Sequence, residues 1–264
     1  MLILAFILIT IINNCSSFSK IPLSSYVRSF DNNLDNIKVI EPYFKSKEST
    51  KCVIFFTGGS SLVISDIYSS FLNKLAERNI AIYSPSFRYR NLSELINFLS
   101  EEYQEVILAG HSSGCTTALN SNNKKVSKYL FFDPVDTKML SFNRNKIYKI
   151  RNINSILFLN AGKSYKFTNN PPGFPFIPFF ALDTKSLNIN NHCKIIKIEA
   201  ENYGHTDILD KPYSNLMHKS RLSVGNHVRS HENLDNYHYW LGDVIYNFLN
   251  KKYSNLNYLN ETIN

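Results

Sequence analysis

Short apolar runs alternate along this chain with segments in which apolar positions recur every three or four residues. From Lys51 to Phe56 the chain is β-branched and aromatic and ends on Thr57, Gly58 and Gly59, which predicts a buried strand meeting a tight turn. Ile67, Phe71, Leu72 and Leu75 then repeat at helical spacing as far as Arg78, with Ser65 or Asp66 available as cap. A short strand is expected over 80–84, stopped by Pro85; a helix opens at Ser93 and runs to about Tyr103; a buried strand follows over 105–109. Residues 118–123 close another helix, and strands are expected over 127–132, 155–160 and, last, 193–198. Leu234, Leu241, Ile245 and Phe248 share one face of a closing helix, and the tail after Tyr253 is polar. Apolar strand runs separated by helical segments predict an α/β domain with a mostly parallel central sheet and helices on both faces. At 264 residues one domain is expected, spanning 36–252, with a polar tail over 253–264.

Composition changes this picture little. Hydrophobic residues make up 44% and charged residues 19%, an ordinary globular balance. The formal charge of +8 is scattered, with no basic stripe of the kind that gathers on a nucleic-acid interface. Nucleic-acid binding is therefore not expected, and the charge leaves room for peripheral contact with anionic membranes. Cys15, Cys52, Cys115 and Cys193 form no CxxC pair and no zinc-type spacing with histidine, so neither a metal site nor a disulfide scaffold is expected. Buried reduced thiols are the reading.

The amino terminus looks like an address. Residues 2–12 are apolar except Thr10, too short a stretch for a membrane span and suited to the core of a signal peptide. Cys15, Ser16 and Ser17 suit a signal peptidase, so 1–17 is expected to be signal-peptide-like and to leave Phe18 first. Residues 18–35 carry Ser19, Ser24, Ser25, Ser29, Lys20 and Arg28 with no acid before Asp31, the composition of a transit peptide or linker. The arrangement resembles the bipartite plastid presequence of algae with complex plastids; secretion or an endomembrane destination is the alternative. Asn91, Leu92, Ser93 and Asn260, Glu261, Thr262 match the glycosylation pattern and decide nothing in an Asn-rich chain.

The chemistry is concentrated at Gly110, His111, Ser112, Ser113 and Gly114. This GxSxG follows an apolar strand and precedes a helical segment, the context in which a sharp turn lifts a serine Oγ above the sheet edge. A serine hydroxyl is a weak nucleophile, so Ser112 needs a base within reach and a third group to orient that base. In this strand-turn-helix setting the partners follow in the order acid, then histidine. Asp133 stands at the end of the strand 127–132, the sheet edge where α/β proteins assemble their sites. Asp136 is its rival, and Asp183 and Asp207 are remoter choices. Of seven histidines, His205 lies just beyond the final strand, where a loop can swing it over the serine; His111, His192, His218, His227, His231 and His238 are worse placed. The oxyanion formed on attack needs amide donors, and two places can supply them: Ser113, after the nucleophile, and the turn at Gly58 or Gly59.

These residues carry a family resemblance. The chain resembles the chlorophyllases from about Ile37 to Lys251: the turn at Phe55, Phe56, Thr57, Gly58; the GHSSG elbow; and Asp133, Pro134, Val135, Asp136. It continues with Pro171, Pro172, Gly173 and, most specifically, with the segment Tyr203, Gly204, His205, Thr206, Asp207, Ile208, Leu209, Asp210. The resemblance implies the α/β-hydrolase fold, a triad of Ser112, Asp133 and His205, no cofactor, and hydrolysis of the phytyl ester of chlorophyll. Ser113 stands where the family has an elbow arginine, Cys115 where it has glycine, and Thr57 where it has histidine. A lipid esterase or phospholipid acylhydrolase with the same triad is the alternative, and a catalytically silent binding protein the third reading. The segment PPGFPFIPFF, 171–180, is too apolar for a casual surface loop, and Phe174, Phe176, Phe179 and Phe180 suit the wall of a pocket for a hydrophobic ester.

Overall fold

A computed structural model of the chain describes residues 25–29, 36–41, 50–59, 63–86, 89, 91–121, 123–136, 147–162, 180–182, 184–219 and 230–255, with 25–29, 36, 136, 180 and 181 by backbone alone. The segment 1–17 and the Asn260 sequon lie outside the described residues.

Eight strands form one sheet: β1 Ser25–Ser29, β2 Asn36–Ile40, β3 Lys51–Phe56, β4 Ala81–Pro85, β5 Glu105–His111, β6 Val126–Phe132, β7 Ser155–Ala161 and β8 Lys194–Ala200. Their order across the sheet is β1-β2-β4-β3-β5-β6-β7-β8. All neighbours from β4 to β8 run parallel, and β2 is antiparallel to both β1 and β4. This order, with one reversed strand near the edge, is that of the α/β-hydrolase fold. The chain leaves β3 in one direction to make β4 and returns on its other side to make β5, so β3 and β5 flank the topological switch point.

The period of two along each strand sorts side chains onto two faces. Val53, Phe55, Ile107, Ala109, Leu130, Phe132, Leu157 and Leu159 pack in one cluster with helices α1 Ser69–Ala76 and α5 His231–Leu249. Cys52, Ile54, Phe56, Leu108, Tyr129, Phe131, Ile156 and Phe158 pack in the other, with α2 Leu92–Glu102 and α3 Gly114–Asn120. Burial on both faces explains why these strands read as continuous apolar runs rather than as alternation. Lys128 is the exception in β6: its ammonium is buried and paired with Glu105 of β5.

Several boundaries move. The strand expected over 105–109 continues through His111, so it leads directly into Ser112. Pro85 does not stop β4 but ends it, opposite Ile37 on antiparallel β2. β1 lies inside the segment read as transit peptide or linker, so the sheet begins before the expected boundary at residue 36. Helix α4 Lys211–Lys219 is absent from the sequence reading because it is short and polar on average: Ser214 is its one buried residue, and Tyr213 and Met217 pack half-buried against the core. Among the described residues no helix is long and apolar enough to cross a membrane.

Candidate active site

The site grows from the carboxyl ends of β3, β5, β6 and β8. After β5 the backbone turns at Ser112 with φ of 55°, and after β6 it turns at Asp133 with φ of 42°. Both are left-handed, a conformation that costs a non-glycine residue roughly 1–3 kcal/mol and persists where the surroundings hold it. Of the other such residues among those described, Asn79 and Asn152 belong to the type that tolerates it best.

The surroundings here are backbone. Ser112 N–H donates to Phe132 O (3.0 Å), Val135 N–H to Ser112 O (3.2 Å) and Asp133 N–H to Leu159 O (2.7 Å), stitching the elbow, the acid turn and β7 together. The two glycines of the elbow are demanded by packing. A Cβ on Gly114 would lie 2.3 Å from Phe56 O, and one on Gly110 would lie 2.5 Å from Cys115 N. Helix α3 can approach the sheet this closely only without those side chains.

Asp133 and His205 meet as the sequence reading expects. His205 Nδ1 is hydrogen-bonded to Asp133 Oδ2, and Asp133 Oδ1 accepts from the Ala161 amide (3.1 Å), so the carboxylate is held at both oxygens. The His205 ring lies 4.7 Å from that of His111, the residue before the nucleophile. Ser112 is half-buried at the same edge. Its Oγ has no hydrogen-bond partner among the described residues. Of the three residues expected to act together, Asp133 and His205 are joined and Ser112 is hydrogen-bonded to neither through its side chain.

The loop bearing His205 is held by groups the sequence reading passed over. Asp207, weighed there as a remote candidate acid, is fully buried and serves the loop instead. Its Oδ2 accepts from Gly204 N–H (2.8 Å), and its Oδ1 from Ser214 Oγ–H (3.1 Å) and His218 Nε2–H (2.9 Å) on α4. Its carbonyl accepts from His238 Nε2–H (2.9 Å) on α5, and burial lowers the His238 pKa to about 4. Asp210 Oδ1 accepts from Ser70 N–H (2.8 Å) in the first turn of α1; burial raises its pKa to about 6. Tyr203 stacks on Tyr237 of α5 with ring centres 4.0 Å apart. The signal for all this was the density of polar residues in YGHTDILD, but their partners come from three helices, two of them far along the chain.

Other candidates fall away or lie elsewhere. Asp136 belongs to the two-residue strand Val135–Asp136, paired antiparallel with Phe180–Ala181. His192 and His231 are exposed. Phe174, Phe176, Phe179, Asp183 and His227 lie outside the described residues. Cys115 is buried with its Sγ–H 2.9 Å from Gly110 O, and burial pushes its pKa well up, so it is an inert thiol rather than a second nucleophile. Cys52 is buried too, but Cys193 is only half-buried.

Gly58, expected as an oxyanion donor, is adjacent to the nucleophile: a Cβ placed on it would lie 3.5 Å from Ser112 Cβ. Its amide, however, donates to the buried hydroxyl of Tyr68 (3.1 Å). That hydrogen is committed within the protein, which shifts attention to the amide of Gly59, the exposed residue that follows with φ of 61°. Ser113 forms the N-cap of α3, where the helix directs its first amides outward.

No family model matches the chain, and no curated relative matches it. Among solved structures it is similar to esterase 2 of Thermogutta terrifontis in its apo form, at 11% identity over 77% of this chain and 92% of that one, with a TM-score of 0.44. It also matches a candidate esterase from Staphylococcus aureus, at 13% identity over 49% of this chain, TM-score 0.35, and a candidate thioesterase from Silicibacter sp. tm1040, at 15% identity over 53%, TM-score 0.36. The chain spans 52% and 60% of those two proteins. At such identities and scores the likeness says nothing of substrate, and the fold rests on the strand order of the sheet itself.

Proposed function

We propose that the protein is a serine hydrolase of carboxylic esters, with Ser112 as nucleophile, His205 as general base and Asp133 as the group that orients it. The observation that carries this reading is the Asp133–His205 hydrogen bond at Nδ1, formed beside a serine held in a left-handed turn. A carboxylate on Nδ1 keeps the proton there and leaves Nε2 as the base. In the first step Nε2 takes the Ser112 proton as Oγ attacks the ester carbonyl, and the π electrons move to the carbonyl oxygen. The amides of Ser113 and Gly59 receive that oxyanion, each worth about 3 kcal/mol of transition-state stabilisation. Collapse breaks the acyl–oxygen bond, the alcohol leaves with the proton from Nε2, and an acyl-Ser112 remains. Water, deprotonated by the same nitrogen, repeats the cycle and releases the acid.

The ester we assign is the phytyl propionate of chlorophyll, so that phytol leaves first and chlorophyllide second. Support comes from the chlorophyllase-like segments at Asp133 to Asp136 and Tyr203 to Asp210, whose acid and histidine are the two that meet. Phe174, Phe176 and Phe179 are proposed to contact the hydrophobic alcohol. Plastid delivery by the presequence-like segment ahead of β1 and peripheral contact with a membrane complete the proposal. Purified protein should convert chlorophyll to chlorophyllide, resolved chromatographically. Turnover of galactolipid or phospholipid with chlorophyll untouched would give the lipid acylhydrolase reading instead.

A further inference from the structure

Gly58 N–H, the Tyr68 hydroxyl, the His111 ring and the His205 carbonyl form one buried chain of hydrogen bonds, with lengths of 3.1, 2.8 and 2.9 Å in that order. Its direction follows from chemistry. A carbonyl oxygen only accepts, so the bond to His205 O places a hydrogen on His111 Nε2. Burial lowers the His111 pKa to about 3, with the nearby His205 as the second cause, so the ring is neutral and its Nδ1 carries a lone pair. Tyr68 must then donate its hydroxyl hydrogen to Nδ1, and its oxygen accepts from the Gly58 amide. Every donor meets an acceptor, and one tautomer satisfies the chain.

The three elements so joined are the three that the proposed reaction needs in register. Gly58 belongs to the turn after β3, His111 to the elbow after β5, and His205 to the loop after β8. Resting on the hydrolase reading above, the geometry points to Tyr68 as a positioning residue: through its hydroxyl it aligns the oxyanion turn and, by way of His111, the backbone of the general base. Holding the Gly58 amide turns the following peptide so that Gly59 N–H addresses the acyl oxygen. Fixing the Nε2–H tautomer of His111 pins the His205 carbonyl. Because His111 remains neutral, it adds no positive charge beside the imidazolium that forms on His205 during attack.

Tyr68→Phe deletes one oxygen and keeps the ring that packs edge-on against Phe55 (5.2 Å) and His111 (5.6 Å). On a soluble short-chain ester, kcat should fall about 30-fold with KM within about twofold, the pattern of a lost transition-state interaction. The His111 ring should keep the Nε2–H tautomer that the His205 carbonyl fixes, while the 15N shift of its Nδ1 moves as that lone pair loses the Tyr68 donor. His111→Gln, which retains a donor toward His205 O, should keep kcat within about fivefold of wild type, whereas His111→Leu should lose at least as much as Tyr68→Phe. A Tyr68→Phe protein with kcat within about twofold of wild type, even if it melts earlier, overturns the proposal, as does an unchanged His111 Nδ1 shift. Wild-type protein that neither hydrolyses esters nor takes a fluorophosphonate label contradicts the hydrolase reading instead, and the ring shifts still decide the hydrogen-bond chain.

Discussion

The proposed nucleophile and its proposed base are held in opposite ways. Ser112 sits in a turn fixed by backbone: amide bonds to β6 and the acid turn, two glycines that let α3 press against the sheet, and a left-handed φ that no side chain maintains. His205 sits in a loop fixed by side chains: Asp133, His111 and His238 reach it from the end of β6, from β5 and from α5, while the loop's own Asp207 and Asp210 tie it to Gly204, α4 and α1. A rigid nucleophile and a base suspended in polar contacts suit a reaction in which the hydroxyl stays in place while the imidazole accepts, delivers and accepts again. Damage to the two halves should therefore look different: steric at the elbow, electrostatic at the loop.

The largest effect is expected where the two halves join. Asp133→Asn should leave the fold intact and lower turnover about 10⁴-fold by releasing the imidazole tautomer; the same loss from Asp136→Asn, with Asp133→Asn active, would relocate the acid. Gly114→Ala tests the steric half. A Cβ 2.3 Å from a strand carbonyl cannot be absorbed by a rotamer change, so we expect a stability loss of about 3 kcal/mol or more in urea titration. Asp207→Asn tests the electrostatic half. An amide can accept from His218 or Ser214 but meets the Gly204 N–H with a donor, costing about 2 kcal/mol and lowering kcat with it. A variant of Asp207 with normal stability and turnover would mean the loop holds itself.

The smallest effect is on acid stability. His111 and His238 have folded pKa values of about 3 and 4, below the ordinary 6.5, so the unfolded chain binds more protons between those limits. Stability therefore rises with pH up to about 6.5, by at most about 1.4 kcal/mol per pH unit per histidine, and is lost as pH falls. Asp210 works against this. With a folded pKa raised to about 6, it binds its proton more tightly folded than unfolded, so its contribution declines as pH rises from 3.8 to 6. His238→Gln should flatten the measured dependence and Asp210→Asn should steepen it.

The same contrast explains what could be read from the amino acids alone. Strands buried on both faces announce themselves as apolar runs, and KCVIFF and EVILAGH lie where their pattern puts them. The elbow is legible because its geometry admits only glycine at two positions. Helix α4 is not, because its apolar contacts, Tyr213 and Met217, are few and half-buried, and Ser214 and His218 tie it to a buried carboxylate. Nor was the commitment of Gly58, since a glycine amide carries no sign of the tyrosine ten residues on that will take it. Asp207 stood only as a remote candidate acid, and its task in the loop was hidden for the same reason. A carboxylate's role is set by which donors surround it, and those of Asp207 are the Gly204 amide of its own loop and Ser214 and His218 of α4.

The account stands on one hydroxyl being activated by His205. Short exposure of the protein to a fluorophosphonate, followed by intact mass and peptide mapping, tests this most directly. We predict a single adduct on Ser112, no adduct in Ser112→Ala, and labelling slowed by orders of magnitude in His205→Gln. An adduct that persists in Ser112→Ala, or labelling indifferent to the loss of His205, would contradict it.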